Sequence, residues 1–572
     1  MVSDLILEIG TEEIPARFIQ EALFQLKNNT NKIFEREVLI FNDLNIFGTP
    51  RRLVLYVKEL DEFQGSRKKI IQGPAKKVAF CGDKLSKAGE GFIRNNGIKE
   101  EDIQIKTTER GEYIYAVKEE PPDKTLSVLK KILPEIIFSI DLPRTMRWDS
   151  NIRFVRPIRW CLALFGNTIV EFNIGDIVSN NITYGHRLLK PIYQQIAVTT
   201  DYFSKIKKLH VIIDPEKRKK LILTKIKKLA KSLDAVPIIP DKLLYEVINL
   251  VEFPDVILGD FSPEFLEIPK EVLIETMTSH QKYFPIQNRD GSLLNKFLIV
   301  TNNNKNKDII KEGNEKVLKA RLFDARFFYY EDIKTPLIQK TTHLEKVIFQ
   351  ESLGTLAQKS IRMERLSSFI SGKLNLYDII DSVNRCVKLS KVDLITEMVK
   401  EFPELEGTMG SIYAVKSGES EDVAKGIYEH YLPRFTGDIL PQTNIGAIVS
   451  IADKLDTITG CFVAGLIPSG SEDPYALRRQ GIGIIEIMIS KEMSISLDDL
   501  VISSLGLFPE FELSKTSNDY NDKNKFTDIT LKIIDFLLQR LRFILQEKGI
   551  KFDTLDAVLN VPIIIPVEII KK

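Results

Sequence analysis

The sequence predicts a multidomain α+β protein, with a mixed α/β amino-terminal half followed by an all-α bundle and a helical carboxyl-terminal part. Three observations carry this expectation. The 572 residues exceed what one core holds, since single cores stop growing at roughly 250–300 residues. Apolar residues alternate in short runs through the first half and recur at helical spacing through the second. Prolines in the second half fall at the joints between helical stretches, where their missing N–H breaks no helix.

Taken in order, Leu5, Leu7 and Ile9 share one side of a strand that meets Gly10 and Thr11 as a turn, and a helix starts at about Pro15. LVLYV follows the turn Gly48-Thr49-Pro50, and residues 114–117 and 169–172 are further strands. Residues 204–233 are strongly basic and helical, with Pro215 opening a helix in its first turn. Strand signals return from Val251, punctuated by Pro254, Gly259 and Pro263, with FLIV at 297–300 after the Asp290-Gly291 turn. Helical spacing dominates 317–366, 389–398 and 445–462. Residues 511–527 are polar enough for a linker, and a last helix spans 531–547. The apolar tail 561–570, broken by Pro562 and Pro566, has the character of a chain end that has lost its cover. The expected domains are 1–200, an α/β module; 201–315, the basic helical segment and a second strand-rich module; 316–490, the bundle; and 491–572, a helical terminal region.

Eighty basic against 79 acidic residues leave a formal charge of +1, so any surface for nucleic acid must be local. Cys81, Cys161, Cys386 and Cys461 form no CxxC pair and suggest neither a zinc ribbon nor a disulfide framework. Asp4, Glu8, Glu12 and Glu13 exclude a cationic leader, and no run approaches the roughly 18 apolar residues of a membrane span. A cytoplasmic protein without membrane contact is expected. No GxxxxGK[ST] occurs, and the pair Gly481 and Gly483 lacks a third glycine, so no nucleotide cofactor is expected on these loops. GxSxG, HExxH and kinase signatures are also missing, which leaves no candidate catalytic residue of those types.

One hydrolytic scheme needs weighing. SKVDLITEMVKEFPELEGTMG (390–410), EHYLPRFTGDILP and ADKLD resemble, in this order, the elements of HD phosphohydrolases. That resemblance implies histidines and aspartates around a divalent metal that makes hydroxide from water. The His-Asp pair is here Val392-Asp393, and in the helical half only His343 and His430 offer an imidazole. Valine has no lone pair to donate, so the site is degenerate and no metal is expected. Two readings stand: Asp393 and Asp453 cap helices or pair with Lys391 and Lys454, or they join His343 and His430 in a metal-dependent HD-type phosphohydrolase.

LILEIGTEEIPARF, MRWDSNIRFVRPIRW, SHQKYFPIQNRDGSLLNKFLIVTN, KVLKARLFDARFFYYED, KVDLITEMVKEFPELEGTMG and the segment from ADKLD to ALRRQ occur in one order across nearly the whole chain. Together they resemble the beta subunit of bacterial heterotetrameric glycyl-tRNA synthetase. The resemblance implies a chain that binds and positions tRNA(Gly) within an α2β2 tetramer, while an α subunit activates glycine with ATP and Mg. It further implies an amino-terminal half similar to the B3/B4 region of phenylalanyl-tRNA synthetase and a degenerate HD domain. The family continues past the equivalent of 548–559 into an anticodon-binding domain, so a chain ending at Lys572 is expected to be truncated before it.

Candidate tRNA contacts come from cation spacing. Lys316, Lys319 and Arg326 share one face of a predicted helix and either hold phosphates or are simply solvated, with Arg321 beside Asp324. Asp473 caps a helix with Pro474 at its first position, which projects Arg478 and Arg479 about one turn in. These arginines bind RNA, anchor a partner, or pair with Glu472 and Asp473. His280, Lys282, Tyr283 and Phe284 fit either a base-stacking platform or a strand with buried aromatics, and Trp148, Arg153, Arg156, Arg159 and Trp160 cluster in the same manner.

Overall fold

The computed structural model describes residues 2–82, 84–108, 111–148, 152–470, 472–509, 520–559 and 564–571. The chain divides into two compact units, Met1–Phe261 with Met277–Lys316, and Ser262–Thr276 with Val317–Lys572.

The first unit is built on β1 (Val2–Thr11), which runs through the expected turn to Thr11. Helix α1 (Ala16–Arg36) follows, then β2 (Asp43–Thr49), β3 (Arg52–Asp61), β4 (Ile158–Phe165) and the short β5 (Thr168–Ile169). The sheet order is β5-β4-β1-β3-β2, antiparallel throughout. Side chains alternate across it, so Leu5, Leu7, Ile9, Leu53, Leu55 and Val57 pack against α1 and a second helix, Thr125–Phe138. Helix α1 answers with Ile19, Ala22, Leu26 and Ile33, at the three- and four-residue steps of one helical face. Ile6, Val54, Tyr56, Leu162 and Leu164 face the other way, onto Tyr202, Ile206 and Leu209.

Glu8 lies on that second face with no exposure, and so does not follow the apolar rule of its neighbours. Its carboxylate accepts from Thr183 Oγ1 (2.8 Å), Trp160 Nε1 (2.5 Å) and the Tyr202 hydroxyl. Arg52, equally buried, lies 3.4 Å from Glu8 and donates through Nε to Glu252 (3.0 Å), which also accepts from Thr49. Burial disfavours ionised Glu252, yet the Arg52 guanidinium prevails and holds it below the usual carboxylate range. Gly10 belongs to the same arrangement, since a Cβ there would come within 1.9 Å of the Trp160 indole.

A four-stranded antiparallel sheet, ordered Val236–Pro237, Phe284–Gln287, Leu293–Thr301, Asp255–Asp260, carries the basic helix Pro215–Ser232 and the helix Asp241–Ile248. Pro215 does open its helix, with Asp214 accepting from the amides of Glu216 and Lys217. A separate three-stranded sheet joins Arg67–Ala75, Gly111–Glu120 and Ile103–Thr108. Of the strand expected at 169–172 only Ile169 is part of a strand, the short Thr168–Ile169, and the Phe172 amide donates to Ser179 Oγ.

The second unit is helical. Asn444–Val463 is buried at almost every position, which marks a helix enclosed on all sides. Around it pack Leu356–Lys373, Ile380–Leu389, Glu421–Glu429, Leu477–Ser490, Leu497–Leu505 and Tyr520–Glu547. The expected helix over 389–398 is instead a break: one helix ends at Leu389, a 3-10 turn spans Val392–Ile395, and Thr396 caps Glu397–Glu401. The expected linker is helical from Tyr520, and 511–519 lie outside the described residues. From Ile564 the apolar tail is covered by its own unit, since Ile564, Val567 and Ile569 are buried and the Ile564 carbonyl accepts from the Leu497 amide at 2.9 Å, while 561–563 lie outside the described residues.

The two units together give the mixed α/β protein with a helical carboxyl-terminal part that the sequence predicts. Removing Arg52 would strand two buried carboxylates. Arg52→Ala should cost about 3–5 kcal/mol in denaturant unfolding of the first unit, whereas Arg36→Ala, which breaks an exposed pair with Glu135, should cost under about 1 kcal/mol.

Candidate functional site

Four segments of the helical unit converge on one polar cluster. Asn444–Val463 supplies Asp453, Lys454, Asp456 and Thr457; Leu356–Lys373 supplies Lys359 and Arg362; the break after Leu389 supplies Lys391 and Asp393. His430 and Tyr431 follow the helix Glu421–Glu429.

At its centre is the Lys391 ammonium, 2.7 Å from Asp453 Oδ2 and 3.0 Å from His430 Nε2. His430 Nδ1 lies 2.6 Å from the Ile427 carbonyl, which can only accept, so Nδ1 carries the proton and Nε2 presents its lone pair to Lys391. Burial, reinforced by Lys391, pushes the imidazole well below its usual range and keeps it neutral. Burial alone would favour a neutral Asp453, but Lys359 at 3.0 Å and Lys391 hold it well below the usual carboxylate range. Lys359 also meets Asp456 at 3.1 Å, and Arg362 closes a fork on Asp456 at 2.6 and 3.1 Å.

The other expected members go elsewhere. Asp393 is buried and accepts from the amides of Gly407 (2.6 Å) and Gly410 (3.1 Å), capping the helix Thr408–Lys416. Burial outweighs those amides and pushes its carboxyl up to about 6. Gly410 has no room for a side chain, because a Cβ would lie 2.8 Å from Asp393 Oδ2. Lys454 pairs with neither aspartate and instead donates to the Leu432 carbonyl (2.9 Å) and Ser450 Oγ (2.7 Å). Its burial lowers it to about 7. His343 is exposed on the turn Thr341–Lys346. Among the described residues no three His, Cys, Asp or Glu side chains are grouped to hold a metal ion.

A cavity of about 440 Å³ opens beside the cluster, lined by Lys359, Lys391, Arg434, Lys454 and Arg479 against only Glu406 and Asp453 as carboxylates. It is therefore net positive. Arg479 faces it, while its neighbour Arg478 lines a different cavity with Lys532, Asp535 and Arg540. The helix bearing both starts at Leu477, later than expected, because Ala476 takes a left-handed φ of 52°. Asp473 still caps it, accepting from the amides of Leu477 and Arg478 at 2.8 and 3.0 Å, so its carboxylate serves backbone and not the arginine side chains.

Lys316, Lys319 and Arg326 all lie on the helix Lys307–Ile333. Lys316 and Lys319 are exposed, Lys319 standing 5.9 Å over the Phe323 ring. Arg326 is half-buried and paired with Glu264 at 3.0 Å, and Arg321 meets Glu401 at 3.6 Å, not Asp324. Tyr283 and Phe284 are core side chains: Tyr283 stacks on Phe297 and donates to Asn314 at 2.6 Å, and Lys282 pairs with Glu246. Arg159 pairs with Glu12 at 3.2 Å on the exposed side of β4, opposite the buried Trp160.

Over residues 5–560 the chain matches the family model described as glycyl-tRNA synthetase beta subunit. This chain belongs to that family. It is 43% identical over 565 residues to the glycine-tRNA ligase beta subunit of Desulforamulus reducens, an alignment covering 98% of this chain and 80% of the relative. The beta subunits of Clostridioides difficile and Halothermothrix orenii are 42% and 43% identical, again over 98% of this chain and 80% of theirs. No helix among the described residues is long and apolar enough to cross a membrane.

Sequence reasoning missed Lys359, Arg362, Asp456 and Arg434. The available signal was Lys359 and Arg362 one turn apart among Leu356, Met363 and Leu366, charges on an otherwise apolar helix face. The raised Asp393 carboxyl gives a test with a definite sign. Between pH 4 and 6 the folded chain holds a proton that the unfolded chain has released, so this group's contribution to stability falls as pH rises. Asp393→Asn keeps an acceptor for both amides but does not titrate. Wild-type stability relative to this variant should fall by on the order of 2–3 kcal/mol across that window, read from denaturant unfolding at each pH.

Proposed function

We propose that this chain is the tRNA-binding subunit of a glycine-tRNA ligase, orienting tRNA(Gly) toward a class II α subunit that activates glycine with ATP and Mg in a cytoplasmic α2β2 assembly. Membership of the beta-subunit family supports the assignment. The observation that favours binding over hydrolysis is the Lys391 ammonium, which takes both the His430 lone pair and an Asp453 oxygen that a divalent metal would use. On this reading the helical unit is a degenerate HD domain and the amino-terminal sheet a B3/B4-like module. Lys316, Lys319 and Arg479 are solvent-facing cations suited to RNA phosphates, and Arg326 and Arg478 contribute from more engaged positions.

Glycine-dependent pyrophosphate exchange decides the catalytic assignment. The purified chain should show none and should restore charging when mixed with the α subunit; robust exchange by the chain alone would end the proposal. Binding of tRNA should weaken steeply as salt rises from about 50 to 200 mM, as counterion release requires.

A further inference from the structure

The cationic cavity contains more donors than its own residues use. Lys359 is saturated by Asp453, Asp456 and Thr457, and Lys454 by carbonyl oxygens and Ser450. Arg434 spends one Nη2 bond on the Glu406 carbonyl at 2.7 Å, leaving most of its five N–H groups. Arg479 is exposed and has no hydrogen-bond or ion-pair partner among the described residues. The Tyr431 ring lines the cavity, with the Lys391 ammonium 4.3 Å and the Arg434 guanidinium 5.4 Å from its centroid.

We propose that this cavity binds a nucleotide, its phosphate held by Arg479 and Arg434 and its base against Tyr475. The volume of about 440 Å³ lies within the roughly 300–1,000 Å³ of small-molecule sites. Guanidinium groups match phosphate oxygens as planar forks, and Lys359 and Lys391 add fixed positive charge behind them. Tyr475 lines the same cavity with 36% exposure, a π-face of the kind on which bases stack. No hydrolysis follows, because Lys391 orders the inner end of the site without activating water. The nucleotide is either a free mononucleotide or one residue of an RNA strand, and the phosphate chemistry is common to both.

Calorimetric titration of the full chain with AMP, adenosine and inorganic phosphate tests this. AMP should bind with 1:1 stoichiometry and adenosine at least tenfold more weakly. Arg479→Ala should weaken AMP about tenfold to a hundredfold, with Lys400→Ala, which removes an exposed lysine paired with Glu397, unchanged. Displacement of AMP by tRNA identifies an RNA nucleotide as the occupant, and its persistence identifies a free one. If AMP does not bind at millimolar concentration, an Arg479→Ala loss of tRNA affinity of tenfold or more still supports the site. AMP affinity insensitive to Arg479→Ala, or neither AMP binding nor any change in tRNA affinity, overturns it. In that last case wild-type tRNA binding would leave the proposed function standing without this cavity.

Discussion

The contact of the Lys391 ammonium with Asp453 and His430 organises the helical unit, because it settles how three buried polar groups coexist. An isolated buried charge is costly, and a buried pair is tolerated only when its remaining donors and acceptors are satisfied. Here Asp453 receives two ammonium groups, His430 stays neutral between a carbonyl and a lysine, and Asp456 takes Lys359 and Arg362. Asp393 follows a different solution, with backbone amides in place of a cation. The result is a rigid floor. Asn444–Val463, which carries Asp453 and Asp456, is also the helix most completely enclosed by its neighbours.

The first unit obeys the same constraint with another cast. Glu8, Arg52 and Glu252 form a buried alternating chain of acidic and basic groups, and hydroxyls of Thr49, Thr183 and Tyr202 and the Trp160 indole complete the coordination of the two carboxylates. These residues come from six different stretches of sequence, so the network pins β1 and β3 to later segments of the chain. Stability and specificity of register are thereby coupled: sliding β1 by one residue would turn Glu8 into the apolar face occupied by Leu7 and Ile9.

How much of this was legible depended on whether the signal was local. Period two in 5–9 and the apolar positions of 445–462 specify their elements because the signal lies in adjacent residues of the chain. Pro215 after Asp214 marks a helix start for the same reason. The break between Leu389 and Glu397 was hidden, since its cause is a carboxylate at Asp393 reaching the amides of Gly407 and Gly410, contacts across fourteen and seventeen residues. The tail was misjudged likewise: apolar residues at 564–569 look uncovered until Leu497 and its neighbours are placed on them. In the candidate site, spacing put Arg478 and Arg479 together, but adjacent helical residues point about 100° apart and enter different cavities. Spacing also gave no indication that Glu264 would engage Arg326, sixty-two residues away.

On the degenerate-HD reading proposed above, an ammonium in the place of a metal keeps one property of that metal and loses another. A lysine supplies positive charge, enough to hold Asp453 ionised and to bias the cavity toward anions. It has no vacant orbital to polarise an oxygen and no means to bring the pKa of a bound water near neutrality, which is what metal hydrolysis requires. Its three N–H groups are hydrogen-bond donors only, and two already serve His430 and Asp453. The exchange therefore retains the electrostatic half of a phosphate site while removing its reactive half. On that reading the scaffold can hold a phosphate beside Arg479 and Arg434 without cleaving it, as the RNA-handling role proposed above requires.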